Sequence, residues 1–537
     1  MKTYQLYLFI ALAVLLYACS GNKETFNQDG RETDIPLNEN VVIKNLRSIN
    51  TEANEYAPAI TGNGKILYFT STRPNLFSSK IGDESIWYSA KDGDDWGVPM
   101  NLRFPTDGKW HQGTTAIQPD GQYVYFALQT EGRNDGYGNF DLYYSKLEGT
   151  KWADPKNLGE FVNSSYWDHN PTISSDGRTL IFASNRPGGF GGTDLWITKK
   201  DDNGNWSRPL NLGSNINSSS DEMAPFIALD NKTLYFSSNG KPSVGGFDIF
   251  ISQYSTDGWS RRRNIGRPYN SPQDEYFITI PAANDTAYMS SNREGSINKS
   301  LDIWMIVPPP LKPVKQEQPV PTVVAVTGIV SEFNAKPEKP VGATLTITDL
   351  SNQVVVAEFE SNSVTGEYYI VLPAGKNYGV TAKAPGYLFY SSQFEIPLDA
   401  KYEEIKRDIK LFPLKTEGTT VSEKPTVRLM VFFDYNKATL RPESHTDLKN
   451  AIEFLQANPQ VYVEIAGHTD RRGTDEYNDN LSQDRAGSVA SYIVINGTID
   501  PERVKPIGYG KRNLLFNGDT EEIHQANRRV EMVLLKY

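Results

Sequence analysis

The chain has a single cysteine in 537 residues, Cys19, and that scarcity removes whole classes of structure. No intramolecular disulfide and no cysteine-based metal cluster can form. There are five histidines, none paired at ligand spacing, and no Gly-x-Ser-x-Gly, His-Glu-x-x-His or phosphate-loop motif occurs. No catalytic residue, metal or cofactor is therefore expected, and the chain reads as a non-enzyme. Long basic runs are missing too. With a net charge of −11 and nothing to neutralise a phosphate backbone, no nucleic-acid partner is expected. Apolar runs are short: Leu6 to Ala18 covers 13 residues, fewer than the ~20 a membrane-spanning helix needs, and follows Met1-Lys2 as in a secretory signal.

What the chain does have is length and repetition. At roughly 150 residues per domain it should hold three or four modules. An aromatic residue recurs at Trp87, Tyr143, Trp196, Phe250 and Trp304, at intervals of 56, 53, 54 and 54 residues. Four copies read Asp-Leu/Ile-aromatic, beginning at Asp141, Asp194, Asp248 and Asp302, while the first has Ser85 instead. Trp96, Trp152, Trp206 and Trp259 follow, each with Asn-Leu or Asn-Ile a few residues on. Turn signals such as Gly62-Asn63-Gly64, Pro119-Asp120-Gly121 and Asp176-Gly177 sit between apolar runs, as tight hairpins require. Each period should make a four-stranded sheet, and five such sheets arranged radially would form a β-propeller. Val41 to Leu46 matches the part of the repeat that the last copy lacks, so the first strand should complete the final sheet. Aspartates at one fixed phase are expected to organise turns, and the tryptophans to pack between sheets.

The remaining segments differ in pattern. Residues 1–18 read as a signal peptide and 19–40 as a flexible tether, followed by the repeats over 41–306. A Pro-rich linker spans 307–322, a small β-sandwich 323–412, a second linker 413–425 and an α/β domain 426–537. In that last domain Arg428 to Phe433 and Val461 to Ile465 read as strands, as does Arg529 to Leu535. Leu448, Ile452 and Leu455 mark one helix, and Ala486, Val489, Ala490 and Ile493 a second with Gly497 as its C-cap. The expected fold class is thus multidomain: an all-β propeller of five blades, a β-sandwich, then an α/β domain.

Several motifs resemble known families. Leu16-Tyr17-Ala18-Cys19 resembles a bacterial lipobox, although Tyr17 is bulkier than usual. That resemblance implies cleavage before Cys19 and a diacylglycerol on its thiol, holding the protein to the outer membrane. By resemblance to lipoprotein sorting, Ser20 rather than aspartate after Cys19 points to the outer membrane, and the absence of a dense acidic run there to its periplasmic face. Asn170 to Gly177 and Ser184 to Gly189 resemble the WD40-like (PD40) propeller family. The strand pattern around Glu367 to Gly375 is similar to the carboxypeptidase regulatory-like domain.

Phe433-Asp434, Gly467-His468-Thr469-Asp470, the run Asn478 to Ala486, and Asn527-Arg528-Arg529-Val530 stand in the order of the OmpA-like peptidoglycan-binding domain. The resemblance implies binding to peptidoglycan through the diaminopimelate of its stem peptide. Asp470 would face the ammonium and Arg485 the carboxylate, with help from a nearby helix N-terminus. Thr469, Asn478, Leu481, Asp434 and Arg528 match positions that line the pocket, Arg529 could pair within the fold, and His468 is read as filling the turn. The expected function is non-covalent anchoring of the outer membrane or an envelope complex to the wall, with the propeller as a platform for other envelope proteins. The alternative is a scaffold in a secretion or envelope assembly for which wall binding is secondary.

Overall fold

A computed structural model describes residues 37–38, 40–74, 83–102, 104, 111–130, 133–201, 203–309, 323–400, 402–414, 424–434 and 436–536. Cys19, the expected signal peptide, residues 19–36 of the expected tether and most of both expected linkers lie outside these residues.

From residue 42 to 307 the chain forms five antiparallel sheets in sequence. Each begins with a hairpin: Glu55–Ile60 with Ile66–Ser71, Gln112–Ile117 with Tyr123–Gln129, Asp168–Ile173 with Thr179–Ser184, Glu222–Ile227 with Thr233–Ser238, and Glu275–Thr279 with Ala287–Ser291. A third strand carries the repeated aromatic, and in four sheets a short fourth strand sets an asparagine opposite it. The pairs are Trp87 with Asn101, Tyr143 with Asn157, Trp196 with Asn211 and Phe250 with Asn264. In the fifth sheet that strand is Val42–Asn45, from the beginning of the chain, and Asn45 lies opposite Trp304. The sequence match of Val41 to Leu46 to the missing part of the repeat therefore corresponds to a real pairing.

In four of the sheets a buried aspartate holds the turn before the third strand. Asp141 accepts from the Tyr137 and Gly138 amides and from Asn157 Nδ2, and Asp248 likewise from Val244, Gly245 and Asn264. Asp302 takes Ile297 N and Asn45 Nδ2. Burial raises the pKa of Asp141, Asp194 and Asp248, because the bonds they accept come from neutral donors. A second carboxylate in the first strand pairs with arginine: Glu55 with Arg73 at 3.0 Å, Asp168 with Arg186 at 2.5 Å, Glu275 with Arg293 at 3.0 Å. The fourth sheet has Gly240 at the arginine's phase, and Arg262 reaches Glu222 at 2.5 Å through the space a Cβ there would obstruct.

The innermost strands each contain one bulge residue in the left-handed region: Ala57, Thr114, Asn170, Ala224 and Phe277, with φ between 49° and 51°. Three of their amides reach the preceding sheet. Thr114 N donates to Thr70 Oγ1 at 2.8 Å, Ala224 N to Asn170 Oδ1 at 3.3 Å, and Ala57 N to Ser290 Oγ of the fifth sheet at 3.1 Å.

Residues 323–411 form two facing sheets around Val324, Val326, Leu345, Ile347 and Tyr378. This sandwich touches both neighbours. Tyr369 and Val371 pack on Ala282 of the fifth sheet, and Asn362 Nδ2 donates to Gly149 O at 2.8 Å. On the other side Leu388, Phe389 and Leu414 enter the C-terminal core, and Ser391 Oγ donates to Asp447 at 2.9 Å.

The C-terminal sheet runs Thr426–Leu429, Val530–Lys536, Tyr462–Gly467, Val504–Gly508, with only the last pair parallel. Its helices are α1 (His445–Ala457), α2 (Asp475–Gly497) and α3 (Glu521–Asn527). Leu448, Ala451, Ile452 and Leu455 of α1 meet Ala486, Val489, Ala490 and Ile493 of α2 over the sheet. Two expectations are corrected. The first strand ends at Leu429 and does not reach Phe433, because Met430 N is drawn to Asp447 at 2.6 Å and Phe432 N to Ser444 Oγ at 2.8 Å. Gly497 is the last helical residue, and Thr498 takes the left-handed cap position with φ 51°.

Candidate functional site

The site forms where the strand Tyr462–Gly467 runs out against α2. Gly467 is forced by packing, since a Cβ there would lie 2.2 Å from Ser482 O. The next residues are pinned by the backbone: His468 N donates to Arg529 O and Thr469 N to Gly510 O, both at 2.9 Å. The chain then turns through Asp470 to Gly473, whose φ of 85° suits glycine.

Asp470 is buried and strongly held. Its Oδ1 accepts from Arg472 N at 2.9 Å, and its Oδ2 from Arg472 Nη2 at 2.7 Å and Arg528 Nη1 at 2.8 Å. Both guanidiniums also reach Glu521 at the start of α3, closing a ring of two carboxylates and two arginines. Burial works to raise the Asp470 pKa, but the hydrogen bonds from Arg472 and Arg528 outweigh it and bring the pKa down to about 2.

Arg485 presents the opposite case. It is only 7% exposed on the inward face of α2, its Nε donates to Lys437 O at 3.1 Å, and its guanidinium lies 4.9 Å over the Phe433 ring. Among the described residues it has no carboxylate partner. Burial, and then the charge of Arg528, lower its pKa, while Asp470 is close enough to act the other way without a hydrogen bond.

The other expected residues divide by role. Thr469 Oγ1 is buried and has no hydrogen-bond partner among the described residues. Leu481 is half-buried on α2, and Asp434 is exposed and pairs with Lys437 at 3.2 Å. Asn478 Nδ2 is committed to Arg472 O at 2.8 Å and Thr474 O at 3.0 Å, so its amide group fastens the turn to the helix. Arg528 sits on Asp470, and Arg529 pairs with Glu531 at 2.6 Å. His468 is buried, stacked 5.4 Å from Tyr509, with Nε2 3.4 Å from Glu531. The expected help from a helix N-terminus is corrected. Arg485 lies ten residues into α2, about 15 Å along its axis, where the end effect has faded. Arg472 and Glu521, which complete the ring, were not expected, and Arg472 stands close enough to Asp470 in sequence to have been suspected.

Residues 432–528 match the model of the OmpA family. Over 115 residues the chain is 34% identical to the peptidoglycan-associated lipoprotein of Pseudomonas putida, covering 21% of this chain and 68% of that protein. The chain belongs to the OmpA family. Outer membrane porin F of Pseudomonas fluorescens is 40% identical to this OmpA-family chain over 111 residues, 21% of the chain and 34% of the porin. The chain thus spans about a third of the porin's length. A solved peptidoglycan-associated lipoprotein from Burkholderia pseudomallei aligns with 26% identity and a TM-score of 0.19, covering 21% of this chain and 91% of that one. Among the described residues, no helix of this OmpA-family protein is long and apolar enough to cross a membrane, and no cluster of three or more His, Cys, Asp or Glu could hold a metal.

Proposed function

We propose that this chain is a non-enzymatic envelope protein that anchors the outer membrane, or a complex attached to it, to peptidoglycan. The observation that carries the reading is Arg485: a buried guanidinium with no carboxylate partner among the described residues, next to a carboxylate that already has two cations of its own. A buried cation left uncompensated is costly, and a carboxylate ligand meeting it in bidentate fashion relieves that cost. Diaminopimelate offers such a carboxylate, with an ammonium beside it. Asp470 Oδ1 has one backbone donor and keeps acceptor capacity for that ammonium. The ligand end is zwitterionic, so it adds no net charge to the ring of Asp470, Arg472, Glu521 and Arg528. Thr469, Leu481, Asp434 and Arg528 would border it. The relatives named for peptidoglycan association support the same reading, as they do an outer-membrane location.

Residues 41–306 are proposed to form a five-bladed propeller that presents a platform to other envelope proteins. Supporting this are the five consecutive sheets, the first strand paired into the last sheet, and the bond from Ala57 back to Ser290. Cys19 would carry the lipid. Co-sedimentation with purified sacculi tests the anchoring role. Arg485→Met and Asp470→Asn should each weaken binding by tenfold or more, since charged hydrogen bonds contribute about 1.5–3 kcal/mol. Wild-type sedimentation of both variants would overturn the assignment.

A further inference from the structure

The tryptophans that pack between sheets meet a tyrosine ring at some interfaces and not at another. Trp96 meets Tyr288 of the fifth sheet edge-on at 5.7 Å, and Trp152 meets Tyr68 of the first at 6.4 Å. Phe104, in the connection between the first two sheets, completes the second contact: it is buried, stacked 4.7 Å from Phe126 and edge-on 6.5 Å from Trp152.

The next interface has the same residue types in a different arrangement. Trp206 of the third sheet should meet Tyr125 of the second, yet among the described residues it stacks on no other ring. In the next connection the buried residue is Val162, and its neighbour Phe161 is 53% exposed, with Arg208 over the ring at 5.5 Å. What opens is a cleft of about 670 Å³, within the range of small-ligand sites. Tyr123, Tyr125, Tyr144, Phe161 and Trp206 line it, together with Lys200. Lys200 Nζ lies 4.9 Å over the Trp206 ring and has no carboxylate partner among the described residues.

We propose that this cleft binds a pyranose glycan. The C–H face of a pyranose ring is apolar and flat enough to lie on an aromatic side chain, while its rim is all oxygen. Tyrosine rings supply both an apolar body and a hydroxyl, and Lys200 supplies N–H donors with no acceptor of their own. A proline-rich peptide also uses aromatic-lined grooves, but it offers fewer oxygens to Lys200 and the tyrosine hydroxyls. The glycan could come from the wall's amino-sugar strands or from another envelope polysaccharide.

The site is independent of Arg485, and the test separates the two. The full chain carrying Arg485→Met, silent at the C-terminal site, is titrated with an N-acetylglucosamine tetramer, a glucose tetramer and a proline-rich decapeptide, with tryptophan fluorescence and calorimetry as readouts. Saturable binding of either sugar, weakened tenfold or more by Phe161→Ala and several-fold by Lys200→Met, is expected. Preference for the first tetramer assigns the source to the wall and preference for the second to another polysaccharide. Phe161 is half-exposed, so its variant should fold, and an unchanged melting temperature checks this. The proposal fails if neither sugar binds, if binding ignores both substitutions, or if the peptide alone binds.

Discussion

Five of the arginines largely removed from solvent fall into two groups; Arg503 and Arg529, equally buried, are satisfied by backbone carbonyls and by Glu531. Arg73, Arg186, Arg262 and Arg293 each stand beside a fully buried carboxylate, one per sheet in four of the five sheets. Arg485 is buried at least as deeply and faces a carbonyl and an aromatic ring. The repeated arginines complete a charge that the fold itself buried, so their role is structural. Arg485 completes nothing among the described residues, and its position makes sense once an anion arrives from outside. Aspartates divide along the same line. Asp141 and Asp248 in the sheets are held by neutral amides and have raised pKa values, whereas Asp470 is held by guanidiniums and its pKa is about 2.

The largest test of this contrast removes one cation of each kind. Arg186→Met leaves Asp168 buried and unpaired and should cost about 3–5 kcal/mol in chemical denaturation. Arg485→Met should leave stability unchanged or raise it. Equal losses in the two variants would break the distinction. Acid gives a smaller effect. Asp470 and Glu531 both have folded pKa values of about 2, below their unfolded values, so their stabilisation is complete above about pH 4.5 and lost as pH falls toward 2. Each is worth about 2–3 kcal/mol. Burial lowers the His169 pKa to about 3, so the sheets should begin to lose stability at higher pH, as the unfolded imidazole takes its proton below about 6.5. Unfolding curves followed separately by tryptophan fluorescence, whose reporters all fall between residues 87 and 304, and by backbone exchange in the C-terminal segment would resolve the order. The smallest effect is local: Arg472→Met should raise the Asp470 pKa, read by carboxyl NMR titration, with Arg528 retaining part of the shift.

The repeat made much of the fold legible. A fixed phase places Trp87 through Trp304 and their asparagine partners, and the gap after Trp304 points to Asn45 across more than 250 residues of chain. Where the repeat breaks, sequence gives less. Arg262 replaces the arginine missing at Gly240 from another strand, a substitution that only three-dimensional proximity reveals. At the C-terminal site, family spacing singles out Asp470, Arg485 and Arg528, but Glu521, which joins Arg472 and Arg528 into the clamp, lies far from Asp470 in the chain and carries no periodic signal. Asn478 shows the converse limit: its place in the motif is legible, and its commitment to the turn is not.

The pairing of Val42 with Val307 has a mechanical consequence. The chain enters the five sheets at one of these residues and leaves toward the sandwich from the other, so both ends of the segment emerge side by side. Tension applied between residues 37–38 and the sandwich would reach this pair only after the bonds from Asn38 to Ile265 and Arg267 give way. Such a load would peel the first strand away one residue at a time, from Val42 toward Asn45, leaving the four preceding sheets slack.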